Sequence, residues 1–240
     1  MKFENTEVFN FKGALRGMRN PKNSWDRSDS KFDDGECYLT ENNGCEFCSQ
    51  FDGFGKPCVP LIGSNDMKLA QALIKGGSEH RKFLRQIFVS VDVTAPLYWW
   101  KEFDTYKVGT VANSTSTMHK LSETPIALDC FETDDYAPSI CGKTVEQTLI
   151  PLLETLRQLY NNTKNKFVWK ELIRWLPESW LQTRTITMNY ENVFNMVHQR
   201  KHHKLNEWSG CDDPTKPNFI SWAKTLPYAN EFIFLEKEEQ

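Results

Sequence analysis

QIFVSVDVTAPLYWWKEF, residues 86–103, decides how the fold is read. Its first ten residues, through Ala95, are β-branched and partly alternating, the pattern of a half-buried strand. Pro96 ends that strand because it has no N–H to give to a ladder. Tyr98, Trp99, Trp100 and Phe103 then return at helical spacing. Upstream, Ser64-Asn65-Asp66 can cap a helix running to about Lys75 and stopped by Gly76 and Gly77. Downstream, Thr144-x-x-Gln147 has the form of a capping box for a helix carrying Leu149, Leu152, Leu153, Leu156 and Leu159. Pro151 lies early enough in it to be tolerated or to shift the true start. Further helices are expected around 167–175, 190–208 and 219–225. Residues 1–63 read as irregular: 19–24 is turn chemistry, and 33–63 is rich in Gly, Asn and Asp with two prolines. Residues 121–142 also read as loop, with an acidic run at 132–135. No repeat or low-complexity linker divides the chain. The expectation is one α+β domain over 1–240, with 33–63 as a Cys/Gly-rich insertion.

Composition narrows the function classes. The 240 residues carry 29 Lys+Arg against 32 Asp+Glu, a formal charge of −3, with 39% hydrophobic and 25% charged residues. Those are the proportions of a soluble globular protein. The densest apolar stretch, 87–100, is broken by Asp92, Thr94 and Pro96, so it falls short of the ~18 apolar residues a bilayer demands. The first residues lack a basic region followed by an apolar one, so no secretory signal is read and a cytoplasmic location is expected. A polymeric nucleic acid is disfavoured, because its binding needs a basic surface. Seven cysteines, an odd number, argue against a complete disulfide framework. Cys37, Cys45, Cys48 and Cys58 include only one C-x-x-C, so reduced thiols are favoured over structural zinc.

Two segments carry chemistry. Residues 110–117 hold five hydroxyl side chains and one amide, with Lys107 just before them. Hydroxyls, backbone N–H groups and an ammonium suit a phosphate or a pyrimidine edge, although Ser and Thr in a surface loop also bond their own backbone. In the second segment Asn189, Asn192 and Asn195 recur every three residues and so share one side of a helix, with Arg200 on an adjacent stripe. Buried amides beside a guanidinium are costly unless something binds them. His198, Arg200, Lys201, His202, His203 and Lys204 form a basic cluster. The i,i+4 pair His198 and His202 lacks a third ligand, so a solvated face is favoured over a metal site.

The order and spacing of these segments resemble the flavin-dependent thymidylate synthases. That family's signature, R-H-R-x-x-S-x-N-x-x-S-x-R-Y, follows a strand ending Ala-Pro and, before the strand, a His. Laid without gaps, His80 meets that His, Ala95-Pro96 the Ala-Pro, and Thr105-Tyr106-Lys107 the R-H-R. Thr110 and Thr115 meet the two serines. Later, Leu176-Pro177, Asn189, Asn195 and Arg200 meet the family's Leu-Pro, Asn, Asn and Arg, so about 65 residues in two blocks keep register. The departures are specific. Both arginines of R-H-R are replaced, Ala112 stands for the inner Asn, and Thr117-Met118 stands for Arg-Tyr. A lysine does not reproduce the bidentate fork of an arginine.

The resemblance implies an antiparallel-type sheet flanked by helices, and reductive methylation of dUMP or a related pyrimidine nucleotide. It implies FAD as cofactor, with NADPH and methylenetetrahydrofolate as co-substrates. By carry-over Arg200 is the catalytic group, steadying charge on the pyrimidine carbonyl. His80, Lys107, Asn189 and Asn195 are assigned to the cofactor, and Glu102, Thr110, Thr115, Ser116 and Arg200 to the substrate. No metal is expected. A homotetramer with sites shared between subunits is implied. The competing expectation is a family-fold protein without catalysis, a nucleotide-binding or structural module of the kind a phage genome carries.

Overall fold

The computed structural model describes residues 1–32, 60–133 and 142–235. Cys37, Cys45, Cys48 and Cys58, the acidic residues Asp134 and Asp135, and the tail 236–240 lie outside the described residues. Four antiparallel strands form one sheet in the order β1-β2-β4-β3: β1 (Lys2–Phe9), β2 (Phe88–Pro96), β3 (Val111–Ser114) and β4 (Leu181–Asn189). Around it lie α1 (Phe11–Arg19), α2 (Ser64–Lys75), α3 (Leu97–Phe103), α4 (Thr117–Lys120), α5 (Val145–Thr163), α6 (Lys166–Arg174), α7 (Tyr190–Arg200), α8 (Asn206–Ser209) and α9 (Phe219–Lys224). The class is α+β, as expected.

Strand alternation sorts the two faces of the sheet. Val89, Val91, Val93 and Ala95 of β2 point one way, beside Ile186 and Met188 of β4, and all are buried. The opposite face is polar. Asp92 accepts from Thr185 Oγ1 at 2.5 Å and from Asn5 Nδ2 at 2.8 Å, and the Thr94 and Thr183 hydroxyls meet at 2.7 Å. On the buried side the aromatic cluster of Trp99, Trp100 and Trp208 packs with the inner faces of α1, α7 and α9. Trp99 stacks on Trp208 with centroids 4.6 Å apart and on Phe103 at 5.3 Å. A smaller second core sits between α5 and α6, made of Leu153, Leu172, Leu121, Ile126 and Phe131.

Several local expectations are corrected. The start of the chain is not irregular: it forms the edge strand β1 and the amphipathic α1, which buries Phe11, Ala14, Leu15 and Met18. The Ser64-Asn65-Asp66 cap is replaced by a distant one, since Asp29 accepts from the backbone N–H of Asn65 at 2.9 Å and of Asp66 at 3.1 Å. Asp66 is thereby left to accept from Arg19, Ser28 and Ser30 in the interior. Burial opposes its ionisation, but those hydrogen bonds outweigh burial and hold its carboxyl below the usual range. The helix expected over 190–208 is two, because α7 stops at Arg200. Lys201 to Lys204 therefore leave the helix, and the basic cluster is not one helical face. Strand β3 replaces part of the expected hydroxyl loop, and β4 lies where only a lead-in to a helix was read. Pro151 sits inside α5, which starts at Val145 behind the capping box of Thr144 and Gln147, as the sequence pattern predicts.

Candidate functional site

The β2-α3 and β4-α7 units pair in the sheet and bring the two sequence segments together at their C-terminal ends. Each strand runs directly into its helix: Pro96 ends β2 and opens α3, and Asn189 ends β4 and caps α7. The strands are in register from Phe88↔Asn189 to Pro96↔Leu181, which fixes the relative rotation of the two helices.

Arg200, at the last turn of α7, reaches the end of α3. Its Nη1 stands 2.9 Å from Glu102 Oε2, and His203 Nε2 is 3.3 Å from the same oxygen. No N–H is aligned on that oxygen with hydrogen-bond geometry among the described residues, so the Arg200 contact is charge attraction rather than a hydrogen bond. Arg200 Nε does donate to Tyr106 Oη at 2.9 Å, and Tyr106 Oη donates onward to Gln199 Oε1 at 2.9 Å. The guanidinium also lies 5.1 Å from the Trp208 ring and 5.6 Å from the Tyr106 ring. Tyr106, at the position of the signature His, is thus an orienting group for Arg200.

The asparagine stripe divides into two roles. Asn189 is the N-cap of α7, not a residue on its face: its Oδ1 accepts from Asn192 N–H at 3.0 Å while Asn192 Oδ1 accepts from Asn189 N–H at 3.1 Å. Asn192 Nδ2 donates to Val108 O at 2.8 Å and ties the loop after α3 to this cap. Gly109 fits there with φ +80°, and a Cβ would come within 3.1 Å of Asn189 Nδ2. Asn195 Oδ1 accepts from Arg81 Nη2 at 3.2 Å. Arg81 is buried, donates to Glu191 Oε1 at 3.0 Å and covers the Phe194 ring at 4.4 Å. Arg85 donates to the other oxygen of Glu191. Its neighbour His80 is exposed beside Gly76.

The hydroxyl set is spread along β3 and its flanks. Thr110 Oγ1 donates to Tyr106 O at 2.8 Å, and Thr115 Oγ1 donates to Thr183 O at 3.2 Å, so both bond their surroundings as surface Ser and Thr commonly do. Ser116 is half-buried at the start of α4, and Lys107 is exposed. The structure therefore joins Arg200, Glu102, Tyr106 and Thr110 in one cluster. It joins Asn189 to the loop of Lys107, and sets Asn195 and His80 near Arg81. Thr115 lies on the β4 side, apart from Arg200.

Sequence reading misses the groups that hold these residues. Arg81 and Glu191 carry no pattern beyond isolated charge, although Arg81 directly follows His80 and Glu191 sits between two of the asparagines; His203 is read only as part of the basic cluster. Arg184 was hidden in the unread strand β4. Its Nε donates to Gln182 Oε1 at 3.0 Å, its Nη1 to Asp104 Oδ1 at 2.9 Å, and it covers the Trp100 ring at 4.3 Å. His198 and His202 do not form a pair: the His198 ring packs on Phe194 at 4.2 Å and faces Ile233 O at 3.2 Å, whereas His202 lies beyond the helix end. Among the described residues no group of three His, Cys, Asp or Glu side chains is placed to hold a metal, and no helix is long and apolar enough to cross a membrane.

No family model matches the chain, and no curated protein matches it in sequence. Solved structures do match. Flavin-dependent thymidylate synthase ThyX from Helicobacter pylori, complexed with FAD and dUMP, superposes with a TM-score of 0.62 at 15% identity over 98% of each chain. A second structure of that enzyme with FAD and dUMP gives 0.62 at 16% identity, covering 98% of this chain and 97% of that one. A UMP/dUMP methylase, PolB from Streptomyces cacaoi, bound with 5-Br dUMP, gives 0.50 at 12% identity over 97% and 95%. At these identities the likeness establishes the fold: the chain has the flavin-dependent thymidylate synthase fold, as the motif spacing implied.

Proposed function

We propose that this protein binds a pyrimidine nucleotide, dUMP or a close relative, and methylates it reductively with FAD, NADPH and methylenetetrahydrofolate. The observation that carries the reading is the meeting of Arg200 with Glu102 and Tyr106, since two segments matched to one family only by spacing converge on the group assigned to catalysis. The solved relatives of the same fold hold FAD with dUMP, or 5-Br dUMP. A guanidinium held over Trp208 and Tyr106 is oriented in advance to steady negative charge on a pyrimidine carbonyl, which is the largest kind of contribution a fixed cation makes.

The residues assigned to the flavin fit its acceptors. The Nδ2 groups of Asn189 and Asn195 have no acceptor among the described residues, and the ring of His80 and the ammonium of Lys107 are exposed. Such donors suit ring carbonyls and phosphates. Bound flavin would supply the hydride; the chain's own share is to orient the nucleotide with Arg200, offer Thr110, Thr115, Ser116 and Glu102 to its polar edge, and exclude water. The assembly is read as a cytoplasmic homotetramer of single-domain chains, with sites completed between subunits.

A second reading, nucleotide binding without catalysis, is favoured by one observation: Thr105 and Lys107 stand where the signature has arginines. One set of measurements separates the two. The enzymatic reading expects a yellow purified protein, a thermal shift with dUMP, and loss of turnover in Arg200→Ala with its melting temperature nearly kept. A colourless protein after FAD is supplied, with no response to dUMP, would end the enzymatic reading.

A further inference from the structure

Thr105 and Lys107 stand where the R-H-R signature has arginines, so the loop after α3 carries no guanidinium of its own. Arg184 brings one to the start of that loop. It sits on β4 directly opposite Ser114 of β3, so it borders the hydroxyl set from Thr110 to Thr117. Its guanidinium reaches Asp104, the residue just before Thr105, at 2.9 Å. From its Nε a continuous chain runs through Gln182, whose Nε2 donates to Thr115 O at 3.1 Å and lies 3.4 Å from Thr117 Oγ1. The Trp100 ring, 4.3 Å below, fixes the plane of the guanidinium, and Trp100 Nε1 is itself anchored on Gln182 O at 2.9 Å.

We infer that Arg184 is a binding residue for the phosphate monoester of the nucleotide, presented from β4 beside the hydroxyl set. This rests on the nucleotide reading above. Three features distinguish it from a plain structural salt bridge. The side chain is mostly buried, with 16% of its surface left exposed, while its partner Asp104 is 45% exposed. Nη2 has no acceptor among the described residues, so one edge of the fork is open. The rigid aromatic floor pre-orients that edge, as planar recognition of a phosphate requires.

The test compares dUMP with deoxyuridine, which lacks only the phosphate, by calorimetry on the full chain. In Arg184→Met the affinity for dUMP should fall at least about tenfold, while that for deoxyuridine stays as in the native chain. Arg184→Lys keeps the stem and the charge but not the fork, so it should recover part of the dUMP affinity, and it serves also if the Met variant does not fold. Native-like dUMP binding in either variant overturns the assignment, as does an equal loss for both ligands. If the native chain binds neither ligand, the nucleotide reading fails before any variant is made, and this assignment falls with it.

Discussion

The two hydrophobic cores of this molecule are built on different principles. The main one gathers 33 buried residues among those described, from strands and helices far apart in sequence, and its largest members are aromatic and fully enclosed. The second holds 5, lies between α5 and α6 and the segment from Leu121 to Phe131, and leaves Leu152, Leu159, Phe167 and Trp175 at least 45% exposed around it. Its polar frame does much of the positioning: Glu154 accepts from Ile126 N–H at 2.8 Å and from Arg157 at 2.7 Å, and Arg157 Nη1 donates to Ser122 O at 3.0 Å. The elements that carry Glu102, Tyr106 and Arg200 are rooted in the first core. A large aromatic core supplies rigidity; a small aliphatic one depends on its edges.

Three substitutions test that contrast, beginning with the largest effect. Trp99→Ala removes a side chain with 0% exposure that stacks on both Trp208 and Phe103, and should cost about 3–5 kcal/mol in chemical denaturation. The unfolding midpoint should fall accordingly, and any nucleotide response should weaken with it. Leu153→Ala, at the centre of the second core, should cost about 2 kcal/mol, near the low end for such truncations because the half-open site can collapse. Hydrogen exchange should speed up in α5 and α6 and stay slow in β2 and β4; uniform acceleration would mean that the two cores unfold as one.

Glu154→Gln gives the smallest and most pH-dependent effect. The hydrogen bond from Arg157 holds the Glu154 carboxyl down at about 2, from the usual 4.5. A depressed carboxyl stabilises the fold fully above its unfolded value and loses that contribution as pH falls through the folded one. Stability of the second core should therefore be level above about pH 5 and decline between about 4.5 and 2. The Gln variant should lose about 1 kcal/mol at neutral pH, a figure lowered for solvent around a partly exposed pair, and its acid decline should flatten over that window.

The sequence carries the fold where patterns are local. Strand β2, helix α3 and the capping box of α5 are legible because alternation, aromatic spacing and Thr144-x-x-Gln147 lie within a few residues. Strand β4 was not legible, because its polar face of Thr183, Thr185 and Thr187 and the charge of Arg184 obscure its alternation. The cap of α2 is not legible because Asp29 arrives from 36 residues away. In the site, motif spacing singles out Arg200, but the Arg81–Glu191 pair, 110 residues apart, has no local signature. Asn189 caps α7 rather than lying on its face, a distinction that spacing cannot make.

The bond from Asn192 to the Val108 carbonyl deserves a reading in populations. One such neutral hydrogen bond is worth about 1 kcal/mol net, so conformers in which it is broken amount to roughly one in six at room temperature. The bond thus couples the loop bearing Lys107 to the first turn of α7 with a strength not far above thermal energy, while Thr110 and the pairing of β3 hold the same loop independently.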